Sequence, residues 1–169
     1  MIYLIAGATH TGKTLLAQKL LEKRRVPYLS LDHLKMGLIR SGMTDLTVFD
    51  DDKLTDLLWP IVREMIKTAI ENGQNLTVEG CYIPFTWRRD FPEHYADQIA
   101  CRWLIMSPEY IETHFEEIRA HANAIEQRLD DSDLHRDVLI RENLENLRQC
   151  ESHGCEYILI QNGYQVDIP

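Results

Sequence analysis

The chain has 169 residues, which suits one compact domain over 1–169, and its 27 acidic against 18 basic side chains give a formal net charge of −9. That acidity excludes a broad nucleic-acid footprint, which would be basic. No apolar run is long enough to span a bilayer and no charged leader precedes the first apolar stretch, so no membrane contact and a cytoplasmic location are expected.

In chain order, Ile2–Ala6 is a short apolar run that reads as a buried strand. It leads into Gly7-Ala8-Thr9-His10-Thr11-Gly12-Lys13-Thr14, which fits G-x-x-x-x-G-K-[ST], and an apolar-periodic helix follows over Lys13–Arg24. Strand, glycine loop and helix are the context a phosphate-binding loop needs. Gly7 and Gly12 let the backbone curl so that its N–H groups face phosphate oxygens, and the helix N-terminus adds partial positive charge. Lys13 reaches the β- and γ-phosphates, and the Thr14 hydroxyl is a Mg²⁺ ligand. Thr9, His10 and Thr11 complete the ligand-contacting loop, His10 with no chemical role of its own. Lys13 is expected to be partly exposed.

Val26–Leu31 reads as a second strand, and a short helix is expected from His33 to Arg40. Leu54, Leu57, Leu58, Ile61, Val62, Met65, Ile66, Ala69 and Ile70 carry the helical stripe of the next element, in which Pro60 either kinks one helix or opens a second. Asn75–Glu79 is a third strand, 80–100 is irregular, and Cys101–Met106 is a fourth strand. Ser107-Pro108-Glu109 starts a helix with a capping serine, a proline at the first position and an acid, and its stripe extends to Leu129. A further helix spans 134–150 and a fifth strand Glu156–Ile160. Cys81, Cys101, Cys150 and Cys155 form no C-x-x-C pair and read as reduced thiols. Trp59 and Trp103 read as core, and Trp87 as core or pocket lining. The strand–helix alternation predicts a parallel α/β sheet.

Ligands of such sheets bind beyond the carboxyl ends of the strands. The glycine loop, Asp32 and Glu79 all fall there. Asp32 either caps the helix behind it or orients and deprotonates an acceptor hydroxyl, or does both. Glu79 is a candidate for Mg²⁺ and for the acceptor, and Gly80 beside it points to a close backbone approach. Arg88, Arg89, Arg119, Arg128, Arg136 and Arg141 are candidates for the cations that stabilise a transferring phosphoryl group, or are surface ion pairs. Arg88 is assigned to the acceptor and Arg128 to the nucleotide and to catalysis.

With these residues placed, the chain resembles the small-molecule and nucleoside-monophosphate kinase branch of P-loop proteins: adenylate, shikimate and gluconate kinases and the zeta-toxin kinases. The resemblance covers essentially the whole chain and is complete at Gly7–Thr14. It extends to Ser30-Leu31-Asp32, to Val78-Glu79-Gly80, and to Arg128-Leu129-Asp130-Asp131, which looks like a lid segment. It implies a three-layer P-loop NTPase fold with a five-stranded parallel sheet in the order 2-3-1-4-5, helices on both faces and a helical lid over about 107–141. It also implies an adenine site near Gln161–Gly163. After Gly80 the chain reads Cys81-Tyr82-Ile83-Pro84, without the arginine that adenylate kinases place there. The activity implied is ATP- and Mg²⁺-dependent phosphoryl transfer to a small-molecule acceptor, by a monomer or homodimer. The alternatives are a nucleoside-monophosphate kinase and a nucleotide-binding regulator or toxin-like protein with weak ATPase activity.

Overall fold

The computed structural model describes residues 1–121 and 134–166. Its strands are β1 (Ile2–Gly7), β2 (Tyr28–Ser30), β3 (Leu76–Gly80), β4 (Ile99–Met106) and β5 (Tyr157–Ile160). Its helices are α1 (Lys13–Arg24), α2 (Leu31–Arg40), α3 (Asp51–Glu71), α4 (Glu93–Ala96), α5 (Pro108–Ala120) and α6 (Arg136–His153). The strands form one parallel sheet in the order β2-β3-β1-β4-β5.

Side chains alternate across the sheet, and the two halves of the alternation fill two cores. On one face Ile2, Leu4 and Ala6 of β1, with Cys101, Trp103 and Ile105 of β4, pack against Leu58, Val62 and Ile66 of α3. On the other face Ile5, Leu104 and Met106 pack against Leu16 and Leu20 of α1 and Ile111 and Phe115 of α5. Helices therefore cover both faces, the three-layer arrangement of P-loop proteins. Among the described residues no helix is long and apolar enough to cross a membrane.

Several boundaries differ from the sequence expectation. Strand β2 is three residues long because α2 begins at Leu31, immediately after it. Ser30 occupies the N-cap position, so Asp32 lies inside the first turn rather than capping the helix. Helix α3 runs unbroken through Pro60. Pro60 is exposed, as is Asp56 one turn earlier, whose carbonyl the proline leaves without its helical donor. The start of α5 is as expected: Ser107 Oγ accepts from Tyr110 N at 3.1 Å. The described part of that helix is Pro108–Ala120, and the expected extension to Leu129 lies outside the described residues. Arg128, Asp130 and Asp131 lie outside the described residues.

Trp59, Trp87 and Trp103 are all buried. Trp87 stands edge-on to Phe91, with ring centroids 6.3 Å apart, which makes it packing rather than pocket lining. Asn143 of α6 is wholly buried; its Oδ1 accepts from Met106 N at 2.8 Å and its Nδ2 donates to Leu139 O at 2.8 Å. This pins α6 to the carboxyl end of β4, at the edge where the glycine loop lies.

Candidate functional site

Gly7 ends β1, and the loop turns through left-handed backbone at His10 (φ 61°) and Gly12 (φ 81°) before α1 begins at Lys13. No side chain caps α1 and its first turn holds no acid, so its N-terminal donors and partial positive charge stay available to an anion. Thr9 Oγ1 lies 3.0 Å from His10 Nδ1. Thr11 is wholly buried and its hydroxyl donates to Ala8 O at 2.9 Å. Its side chain thus shapes the loop, leaving ligand contact to its backbone. Lys13 Nζ donates to the same Ala8 carbonyl at 2.7 Å. Lys13 is only 7 % exposed, against the expectation of partial exposure, because its ammonium folds back on the loop. Thr14 is half-buried in the first turn of α1.

The outside of the loop is held by a residue the sequence reading missed. Tyr164 lies just beyond the segment assigned to adenine, and its hydroxyl proton is shared between Thr11 O and Gly12 O, each at 3.1 Å. Occupying those carbonyls from outside favours N–H groups that turn inward. The contact also explains why position 12 is glycine: a Cβ there would stand 1.9 Å from the Tyr164 hydroxyl. Burial pushes the Tyr164 phenol above its ordinary range, which keeps it a donor.

Strand register delivers the carboxylates. Glu79 of β3 is level with Ser30 of β2 and with Ile5 of β1, so Asp32, Glu79 and the glycine loop leave three adjacent strands at one edge. At Gly80 the close approach comes from within the fold. A Cβ at this glycine (φ 158°) would sit 2.7 Å from Leu31 Cβ. Leu31 therefore seats the start of α2 on the end of β3, and Asp32 follows it into the crevice.

Asp32 is part of a chain of contacts. Lys35 Nζ donates to Asp32 Oδ1 at 2.5 Å and to Tyr82 Oη at 3.1 Å, and lies 5.1 Å from the centre of the Tyr82 ring. The Tyr82 hydroxyl donates to Asp51 Oδ1 at 3.0 Å. Burial opposes the charge on Lys35, but the bond to Asp32 and its negative charge outweigh that and hold the ammonium above its usual range. Burial, helped by the charges of Asp51 and Asp32 and opposed by Lys35, pushes the Tyr82 phenol up to about 12. Lys35 is one helical turn from Asp32 and was visible as an i, i+3 pair; Tyr82, 47 residues from Lys35, had no local signal.

Cys81 marks the meeting point of these elements. Burial in the crevice pushes its thiol up; Lys13 pulls it down, and Asp32 and Glu79 push it further up. Lys13, Asp32 and Glu79 thus all act electrostatically on this thiol. Glu79 is only 1 % exposed, whereas Cys81 retains access to solvent. Glu142, next to Asn143 on α6, is exposed to solvent, yet partial burial raises its carboxyl, Asp51 raises it further, and Arg141 and then Lys13 oppose this.

The arginines divide. Arg141 acts on Glu142 at the crevice. Arg88 sits on a 3-10 turn, Trp87–Asp90, in an exposed 3.0 Å pair with Asp97, and no described contact links it to Lys13, Asp32 or Glu79. Arg119 pairs with Glu116 at 2.7 Å and Arg136 lies 5.0 Å over the Phe115 ring. His114 and His121 bond backbone carbonyls of their own helix.

Among the described residues no group of three or more histidine, cysteine or acidic side chains is placed to hold a metal ion, at Cys150–Cys155 or elsewhere. Thr14 and Glu79 offer one hydroxyl and one carboxylate. Such a sparse oxygen donor set fits Mg²⁺, which keeps several waters and binds largely through substrate phosphates.

Sheet order, two helical layers and a glycine loop at the edge of β1 together define the fold of the P-loop kinases. No protein-family model matches the sequence, and no curated protein does. Solved structures do. A candidate kinase from Chloroflexus aurantiacus is 17 % identical with a TM-score of 0.56, over 98 % of this chain and 91 % of that one. Shikimate kinase from Bacteroides thetaiotaomicron is 17 % identical with a TM-score of 0.54, over 98 % and 89 %. Deoxyadenosine kinase from M. mycoides is 12 % identical with a TM-score of 0.56, over 99 % and 92 %.

Proposed function

We propose that the protein is an ATP-dependent phosphotransferase that moves the γ-phosphoryl group of ATP to a hydroxyl of a small-molecule acceptor. The observation that carries this reading is the strand register, which brings the ends of β1, β2 and β3, and with them the glycine loop, Asp32 and Glu79, to one edge of the sheet beside the N-terminus of α1. Positioning and charge stabilisation are most of what phosphoryl transfer asks of a protein.

In this reading the glycine loop and α1 hold the β- and γ-phosphates, and Lys13 leaves Ala8 O for the phosphate oxygens. Thr14 and Glu79 hold Mg²⁺, which neutralises charge on the phosphates. Asp32 aligns the acceptor hydroxyl: its oxygen attacks the γ-phosphorus, the bond to the β–γ bridging oxygen breaks, ADP leaves, and the acceptor proton passes to Asp32. Arg141 and Arg128 supply cations to the transferring phosphoryl group.

The experiment is ATP turnover with an acceptor pool, comparing wild type with Asp32→Asn. Acceptor-stimulated turnover is expected to fall by about 10²-fold or more in the variant while nucleotide binding persists. Equal turnover in both proteins sinks the reading. A nucleoside-monophosphate kinase is the less favoured form, because a neutral thiol at Cys81 stands where a cation would grip the acceptor phosphate; turnover with AMP, CMP and UMP alone would establish it.

A further inference from the structure

The acceptor side of the crevice carries a charge pattern that selects among acceptors. Lys35 is its basic side chain, and three contacts already hold it: Asp32 Oδ1, the Tyr82 hydroxyl and the Tyr82 ring. The Lys35 side chain is 14 % exposed, so it has little open face to offer an anion. Asp32 is bonded to it directly and Asp51 is linked to it through the Tyr82 hydroxyl, and Asp51 also acts on Glu142. Arg88 is occupied by Asp97. A phosphate or carboxylate brought here loses its hydration and meets the like charge of Asp32 and Asp51, while Lys35 is already engaged. Bound nucleotide phosphates strengthen that repulsion.

We propose that the Asp32–Lys35–Tyr82–Asp51 chain makes this crevice select a hydroxylated acceptor that bears no phosphate or carboxylate, with Lys35 as the positioning residue that fixes Asp32 for that acceptor. The inference rests on the phosphotransferase reading. Lys35 occupies Oδ1 of Asp32, which leaves Oδ2 to receive the acceptor hydroxyl. Tyr82, anchored on Asp51, holds Lys35 from its far side.

The test uses the full chain, γ-labelled ATP and a small-molecule cell extract passed over an anion exchanger. Label is expected to pass to compounds of the unretained fraction, neutral or cationic, at a rate at least about tenfold above that with the retained, anionic fraction. Transfer confined to the retained fraction overturns the proposal and leaves the phosphotransferase reading standing. Transfer with neither fraction, while the protein still binds ATP, removes both. With an unretained acceptor in hand, Lys35→Met and Tyr82→Phe are expected to lower kcat by about tenfold or more while acceptor KM moves by less than about threefold. Lys35→Arg restores part of the loss. A rise in KM at unchanged kcat would show Lys35 gripping the acceptor itself and overturn its positioning role.

Discussion

The Lys13 ammonium donates a 2.7 Å hydrogen bond to Ala8 O, the carbonyl that also accepts the Thr11 hydroxyl at 2.9 Å. Two donors on one acceptor hold the loop curled. In the proposed reading Lys13 leaves that carbonyl for a phosphate while Thr11 keeps it, so binding phosphate and keeping the loop folded are separable.

Lys13→Met tests that separation. Methionine fills most of the buried stem, and Thr11 retains its bond to Ala8. ATP turnover is expected to drop by about 10²-fold or more, and nucleotide affinity to weaken. The lost charged hydrogen bond costs about 1.5–3 kcal/mol, so the melting temperature falls by less than about 10 °C. Calorimetry and a turnover assay on the same preparation check both halves. Wild-type turnover in this variant excludes the glycine loop as the phosphate cradle.

Tyr164 acts on the loop from outside. In Tyr164→Phe the ring still packs but Thr11 O and Gly12 O lose their donor. The expected effect is about 1 kcal/mol of stability and a several-fold weaker nucleotide affinity. Gly12→Ala is expected to be worse: its Cβ would collide with the Tyr164 hydroxyl at a positive φ of 81°. Trimming the clashing partner separates the two causes. In a Gly12→Ala, Tyr164→Ala double variant the steric part of the loss is recovered and the backbone part persists. A Gly12→Ala variant as stable as wild type would mean that the tyrosine does not close on the loop in solution.

What the sequence revealed was what neighbouring residues determine. Helix α1 was read at Lys13–Arg24, its observed bounds, because the glycine loop before it and the apolar spacing within it are local signals. The Ser107-Pro108 start of α5 was equally local. Parallel α/β architecture followed from alternation, whereas the strand order 2-3-1-4-5 came from resemblance, since no local pattern encodes which strands pair. Tyr164 on Gly12 spans 152 residues and Lys35 on Tyr82 spans 47, and both were missed. The Tyr82–Asp51 bond spans 31 residues and likewise has no local signal. Gly80 was recognised as a place of close approach, but the approaching group is Leu31, brought there by pairing of β2 with β3.

That Gly80–Leu31 contact yields a prediction in which packing reaches function. Gly80→Ala puts a methyl 2.7 Å from Leu31 Cβ in a fully buried place, so the start of α2 must move. The expected cost is about 1–3 kcal/mol. Because Asp32 is the next residue along α2, acceptor-stimulated turnover should fall further than nucleotide affinity. Combining Gly80→Ala with Leu31→Ala makes room and should restore turnover relative to Gly80→Ala alone. Parallel losses of ATP binding and turnover would instead place the damage at the glycine loop.

Cys81 offers a direct probe of the crevice. Its thiol is reachable by solvent, and burial pushes it up, with Lys13 opposing and Asp32 and Glu79 reinforcing the rise. A raised thiol means less thiolate at neutral pH, and the thiolate is the species that alkylates. Iodoacetamide should therefore modify Cys81 more slowly at pH 7 than it modifies a free cysteine. The rate should keep climbing with pH beyond about 8.5, where an unperturbed thiol starts to level off. In the proposed reading ATP engages Lys13, one of the charges acting on this thiol, so added ATP should slow modification further. Mass spectrometry of the Cys81 peptide separates it from Cys101 and Cys150, which are buried, and from the half-buried Cys155. Fast modification at pH 7 that ATP does not slow would place this sulfur outside the charged crevice and dissociate it from Lys13, Asp32 and Glu79.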